Sequence, residues 1–136
     1  FYAEVKRTAK DGALLVLVGY GNVKITPALD EIIYQLYETI LGRYWDVERK
    51  YVDEAYKTLP FPFKEITAPT FDNTYQWTLQ HLVGYLNTWS AVKHYIKHNG
   101  HNPMDLVYNN LQQAWGEAHT HPVHFPLLLK IGKIKK

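Results

Sequence analysis

The sequence contains no cysteine, which excludes disulfide bonds and thiolate metal sites. This absence is typical of proteins from a reducing compartment, so we expect a cytoplasmic protein. Histidines remain as candidate metal ligands. Six of the seven fall in two groups, His94, His98 and His101 near the end of a predicted helix and His119, His121 and His124 in one loop. Neither group has an acidic or thiolate ligand at the spacing that zinc sites normally show, and we therefore predict solvated histidines and no metal site.

Long apolar runs and one-sided charge are also missing. No apolar segment approaches the roughly 18 residues that a membrane span needs, and the first residues do not form a signal-peptide pattern. The formal charge is only +2, from 15 basic and 13 acidic residues scattered along the chain. The one dense basic run, 130–136, is interpreted as a frayed terminus. We expect a soluble protein without a nucleic-acid or membrane partner.

Apolar and aromatic residues are abundant instead, at 46% and 15%, enough for a sizeable core. Residues 13–18 form an unbroken apolar run, which is typical of a parallel strand covered on both faces. Such a strand needs parallel neighbours, each connected through a crossover, and only one short helix is predicted before it, over 1–9. We therefore expect that partner strands are missing and that the chain associates with itself through this open strand.

Helical periodicity and capping signals account for most of the remaining chain. The predicted helices span 26–41, 46–59, 78–98 and 102–115, with Thr26, Thr78 and Asn102 as caps. An edge strand is predicted over 64–71, since Pro69 would remove a ladder hydrogen bond. A final strand is predicted over 122–134, with an irregular start at Pro126. This order of helices and strands is an α/β pattern.

Five segments carry a resemblance to a known family. They are 1–7 (FYAEVKR), 10–15 (KDGALL), 40–46 (ILGRYWD), 59–63 (LPFPF) and 84–92 (GYLNTWSAV). The first two resemble the late helix and fifth strand of class I S-adenosylmethionine-dependent methyltransferases, with Ala13 in place of the second glycine of a "lysine-x-glycine-glycine" turn. The other three resemble the branch related to trans-aconitate methyltransferase. The resemblance extends over nearly the whole chain.

The resemblance implies an α/β fold, the carboxy-terminal half of a Rossmann-like methyltransferase sheet with three strands, one of them antiparallel, and several helices. Residues 1–136 would form that half, with a helical substrate-side insertion at about 78–116. In the family, the final strand runs antiparallel between the fifth and sixth strands. The implied activity is transfer of a methyl group from S-adenosylmethionine to a small molecule, a carboxylate in the trans-aconitate branch.

The resemblance implies that this chain lacks the residues that hold the cofactor in the family. The family's glycine-rich turn after the first strand and its acidic residue ending the second strand have no match here, so no cofactor-binding residue is predicted. The chain alone is accordingly expected to be inactive. No catalytic residue is predicted either, because an ionised carboxylate acceptor needs alignment rather than a general base.

Aromatic residues provide the candidate substrate-binding positions. Tyr20 follows the apolar strand, where ligands bind at the carboxyl ends of parallel strands in open α/β sheets. Tyr85 and Trp89 begin an apolar stripe along the predicted long helix, and with Ser90 they offer polar groups to a pocket. The alternative for the stripe is a helix packed on two sides, and for Tyr20 it is packing against the next helix.

Two further classes of function remain open at this stage. The chain could be a stand-alone module that binds a small ligand without catalysis, or a structural fragment that pairs with a chain supplying more of the sheet. Upstream sequence with a glycine-rich strand-turn-helix would favour the enzyme.

Overall fold

The computed structural model describes all 136 residues and shows a mixed arrangement of helices and short strands. The helices are α1 (Tyr2–Thr8), α2 (Pro27–Tyr34), α3 (Arg49–Asp53), α4 (Leu79–Leu86), α5 (Ser90–Asn99) and α6 (Tyr108–Trp115). The strands are β1 (Leu14–Tyr20), β2 (Lys64–Ile66), β3 (Thr74–Trp77), β4 (His121–His124) and β5 (Leu127–Lys133). A π-helical segment (Gln35–Ile40) continues α2, and 3₁₀ turns cover Gly42–Tyr44 and Pro103–Leu106.

The chain divides into two units, each with its own internal contacts. The sheet unit comprises Phe1–Asn22, Glu48–Asn73 and Pro126–Lys136, and the helical unit comprises Val23–Val47 and Thr74–Phe125. The predicted insertion at about 78–116 falls entirely within the helical unit. None of the helices combines the length and apolarity that a membrane crossing requires.

The last strand occupies the centre of the sheet unit. β5 lies between β1 and β2 and is antiparallel to both, with Leu14 opposite Lys133 and Tyr20 opposite Leu127. The position and direction implied for the final strand are therefore confirmed. The predicted edge strand is also at an edge, but it is much shorter than expected. It ends at Ile66, so Pro69 lies outside the ladder.

Aromatic rings cover one face of this sheet. A side chain at Gly132 would place its Cβ 2.5 Å from the Phe61 ring and 2.7 Å from Phe63, so only glycine fits beneath the rings. Tyr2 adds to the cover, with its ring centroid 5.6 Å from that of Phe63 and its hydroxyl donating to the Pro60 carbonyl. Phe63 and Ile134 are the buried large apolar residues of this unit.

The opposite face of β1 is open, and the prediction that this strand is covered on both faces is wrong for this chain. Leu14, Val16 and Val18 are 58%, 45% and 63% exposed, whereas Leu15 and Leu17 are half-buried. Leu15 pairs with Gly132 and therefore points to the face that the rings cover. The unbroken apolar run thus has a partner layer on one side only.

The main hydrophobic core lies within the helical unit. Thr26 caps α2 as predicted, since its hydroxyl accepts from the Leu29 amide at 3.3 Å. Fully buried leucines from α2, the π-helical segment, α4 and α6 meet in this core. They are Leu29, Leu36, Leu82, Leu86 and Leu111. The helix predicted over 26–41 is confirmed in its extent, but the sequence did not predict that its second half is π-helical.

The single long helix predicted from Thr78 is two helices. Thr78 does cap α4 as expected, with its hydroxyl accepting from the His81 amide at 3.2 Å, and Gly100 closes α5 in the left-handed region. Between them Trp89 has extended backbone, with ψ 134°. Asn87 connects this break to the next helical segment. Its side-chain oxygen accepts a hydrogen bond from the Asn102 amide group at 2.8 Å, just before that segment begins.

Other predicted elements are also divided or shortened. The helix predicted over 102–115 is a 3₁₀ turn (Pro103–Leu106) followed by α6 (Tyr108–Trp115). The helix expected over 46–59 is only α3, because Ala55 and Tyr56 take positive φ values of 52° and 61° that end it. The final strand breaks at Pro126, as its missing amide suggested, into β4 and β5. β4 pairs with β3 in a separate two-stranded sheet, and β3 was not predicted.

We expect the chain to associate with itself through the open face and free edge of β1. β1 pairs with a strand only on its β5 side, so no strand covers its other edge, which lies beside exposed apolar side chains. Replacing Val16 and Val18 together with lysine should shift the light-scattering mass toward the monomer. Val47→Lys, at a 78% exposed position of the helical unit, is the matched control and should change nothing. A strictly monomeric unsubstituted chain at high concentration would contradict the expectation.

Candidate functional site

Two of the predicted substrate-binding residues lie together in an aromatic cluster of the helical unit. The Tyr85 and Trp89 ring centroids are 6.0 Å apart, with Tyr85 near the end of α4 and Trp89 in the break before α5. Trp89 is only 6% exposed and also contacts Tyr37 and Trp45, at 5.6 and 5.3 Å. Tyr85 is half-buried and packs against Phe125 at 5.1 Å. Trp89 is thus part of the core, while Tyr85 is partly accessible.

The other two predicted residues are placed differently. Ser90 is the first residue of α5 and is exposed, so its hydroxyl faces solvent rather than the aromatic cluster. Tyr20 belongs to the sheet unit, where it is the last residue of β1 and is 50% exposed. Its position at the carboxyl end of the strand is the one predicted. The substrate-binding role of all four residues, Tyr20, Tyr85, Trp89 and Ser90, stays a prediction.

A groove that the sequence did not reveal lies beside α4. Its volume is about 710 Å³, and residues from the start of α4, from α6 and from the following loop line it. Leu79, Val83 and Trp115 contribute apolar surface, and Tyr108, Glu117 and His119 contribute polar groups. This combination of apolar walls with a few polar groups suits a small organic ligand.

The wall of this groove is held by the end of α6. The Trp115 indole donates to the Ala118 carbonyl at 2.9 Å, and a His121 ring nitrogen lies 2.9 Å from the Trp115 carbonyl. Gly116, with φ 72°, turns the chain between them. These contacts hold the loop formed by residues 117–119. In the sequence, only the Trp115-Gly116 pair indicates a turn at this point.

The histidines make structural contacts in several separate places and do not lie together at one site. His81 completes the capping box of α4, and a His94 ring nitrogen lies 2.8 Å from the Tyr44 carbonyl. His121 stacks edge-on against Trp115 at 4.7 Å, and His124 lies 3.2 Å from the Thr74 hydroxyl. No group of three or more histidine or acidic side chains is arranged to hold a metal ion.

Comparison with known proteins indicates a methyltransferase relationship. No protein-family model matches the chain. A protein of Dictyostelium discoideum named "putative methyltransferase" is 29% identical over 140 residues, which cover 98% of this chain and 53% of that protein. The sequence similarity extends over both units of the chain.

A solved structure gives the same indication. The structure named "putative type II methyltransferase", from Anaeromyxobacter dehalogenans, superimposes with a TM-score of 0.87 at 36% identity. The match covers 99% of this chain and 58% of the other. The chain therefore spans little more than half the length of either relative. Together, the two similarities support a methyltransferase family.

We predict that Trp89→Ala lowers the free energy of unfolding by about 3–5 kcal/mol, the usual cost of truncating a buried aromatic side chain. The loss arises because Tyr37, Trp45 and Tyr85 all pack against its ring. Ser90→Ala is the adjacent control and should change stability by less than about 0.5 kcal/mol, since the hydroxyl is exposed. Urea unfolding followed by circular dichroism measures both. Equal effects at the two positions would contradict the burial assigned to Trp89.

Proposed function

We propose that this chain is part of an S-adenosylmethionine-dependent methyltransferase that acts on a small molecule, and that it contributes mainly to the acceptor side. The observation that carries the proposal is the similarity to the Anaeromyxobacter structure, at 36% identity over 99% of the chain. The antiparallel β5 between β1 and β2 adds support, because class I methyltransferases have the same arrangement at the end of their sheet.

The residues present do not fit the cofactor by themselves. Gly21 and Asn22, which follow β1, do not lead directly into a helix, and α2 begins only at Pro27. At that end of α2 the Thr26 hydroxyl accepts from the Leu29 amide, and the Asp30 carboxylate accepts from the Ile25 amide just before the helix at 2.8 Å. A helix end that is capped and carries its own carboxylate is poorly suited to an anionic group. In the proposal the cofactor is held by residues other than these.

The contribution of this chain is then the placement of the acceptor. Methyl transfer depends on alignment of the reacting atoms and exclusion of water more than on proton transfer. Tyr85 offers a half-buried ring and hydroxyl, and Tyr20 offers an exposed ring at the end of β1. A carboxylate acceptor is one candidate, since it is ionised at neutral pH and needs no base. The stand-alone binding module is not favoured by either relative's name.

The proposal is tested by methyl transfer in the native gene product that carries these residues. With isotopically labelled S-adenosylmethionine and a panel of small carboxylates, phenols and amines, we expect label in at least one acceptor. Tyr85→Phe keeps the ring and removes the hydroxyl, so it should raise the acceptor KM severalfold and leave the cofactor KM unchanged. Failure of the native protein both to bind the cofactor and to label any acceptor would refute the proposal.

A second expectation concerns the 136-residue chain alone, which should not bind S-adenosylmethionine measurably. Each loss of about 1.4 kcal/mol weakens affinity tenfold, so the lack of most polar contacts to the cofactor costs several orders of magnitude. Titration calorimetry compares this chain with the full-length Anaeromyxobacter protein as a control. Micromolar binding by the chain alone would show that its residues hold the cofactor after all.

A further inference from the structure

A second cavity of the helical unit lies between the end of the π-helical segment and α5. Its volume is about 420 Å³, and it is lined by Thr39, Ile40, Arg43, Tyr44, Tyr95 and Asn99. We call it the Arg43 cavity. Aromatic and aliphatic groups form part of its wall, and a guanidinium, an amide and hydroxyl groups form the rest. Its volume is within the range of sites that enclose small organic ligands.

Arg43 is oriented in this cavity by its neighbour. One terminal nitrogen of the guanidinium donates to the Tyr44 hydroxyl at 2.7 Å, and the guanidinium carbon lies 4.9 Å from the centre of the Tyr44 ring. The Asn99 amide donates to the same hydroxyl at 2.9 Å and also to the Tyr95 carbonyl at 3.0 Å. Tyr44 therefore links Arg43 to α5, and the arginine is held by a hydrogen bond and a ring contact together.

The Tyr44 hydroxyl accepts both of these hydrogen bonds. The Asn99 amide and then the Arg43 guanidinium hold the pKa of the Tyr44 phenol below its ordinary value. Both donors stabilise the ionised phenolate relative to the neutral phenol, which is why the pKa is lowered.

Arg43 has no carboxylate partner of its own. It forms none of the ion pairs of the chain, and the adjacent α5 carries Lys93, Lys97 and no acidic residue. Glu38 precedes Thr39 on the facing segment but does not pair with Arg43. An arginine fixed in position and lacking an anion still presents the donors that the Tyr44 hydroxyl does not use. The planar edge of the guanidinium can bind both oxygens of a carboxylate.

We propose that the Arg43 cavity binds a small organic carboxylate, whose charged end meets the Arg43 guanidinium and the Thr39 hydroxyl and whose apolar body lies against Tyr95 and Ile40. One arginine suits a monoanion better than a dianion such as phosphate. An inorganic ion would make no apolar contacts with the aromatic and aliphatic wall. This inference does not depend on the proposed methyl transfer.

The test uses benzoate as the probe, with benzamide as its neutral counterpart and inorganic phosphate as a different anion. Each is titrated into the isotope-labelled protein and followed by the backbone amide signals in NMR. We expect benzoate to bind in the low millimolar range and to shift the amides of residues 39–44 and Asn99, with benzamide and phosphate much weaker. Shifts centred elsewhere, no binding of benzoate, or equal binding of benzamide or phosphate would each overturn the proposal.

Substitutions assign the binding to Arg43. Arg43→Gln should weaken benzoate binding roughly ten- to hundredfold, as expected for loss of a charge-assisted pair of hydrogen bonds. Arg43→Lys keeps the charge but loses the planar edge, so its benzoate affinity should lie between those of the unsubstituted protein and Arg43→Gln. Arg7→Gln, in the sheet unit, is the matched control and should bind as the unsubstituted protein does.

Because Arg43 is exposed, these variants should fold normally, and their amide spectra verify that they do. Unchanged benzoate affinity in a folded Arg43→Gln variant would overturn the assignment. If that variant does not fold, the residues shifted by benzoate in the unsubstituted protein and the affinity of Arg43→Lys decide the question.

Discussion

The helical unit depends on one irregular hydrogen bond. In an α-helix the Leu41 amide would donate to the Tyr37 carbonyl, but in the π-helical segment it donates to the Leu36 carbonyl instead. The Tyr37 carbonyl then accepts from the Trp45 indole at 3.0 Å. This bond folds the chain back at Gly42–Tyr44 and presses the Trp45 ring against Tyr37, with centroids 4.6 Å apart. A local widening of one helix thereby positions the segment that follows it.

The remaining features of the unit are arranged around this point. Trp89 leaves helical geometry where its ring packs against both Tyr37 and Trp45. Its backbone stays paired, since its amide donates to the Leu86 carbonyl and its carbonyl accepts from Val92. The same turn brings Tyr44 to α5, where its ring lies 5.1 Å from that of Tyr95. The core cluster, the break between α4 and α5 and the Arg43 cavity are therefore consequences of one constraint, and a change at Trp45 would affect all of them.

The sheet unit is organised by a different principle. β5 supplies hydrogen bonds to β1 and β2 on its two sides, so the strands that are distant in sequence are joined only through the last part of the chain. Rings from residues 61 and 63 cover one face, and the other face of β1 is apolar and open. A sheet with a single covering layer is incomplete as a hydrophobic core.

The sequence by itself determined the features whose signals are local. Thr26 and Thr78 begin helices as predicted because caps depend on a few neighbouring residues, and Pro126 interrupts the final strand because it lacks an amide. Tertiary structure decided the rest. Trp89 fits a helical stripe in sequence, yet packing against distant rings places it at a break. The open face of β1 reads as buried because periodicity records apolarity and not the presence of a covering layer. The groove beside α4 and the Arg43 cavity have no sequence signal, since their residues come from separate elements that only folding brings together.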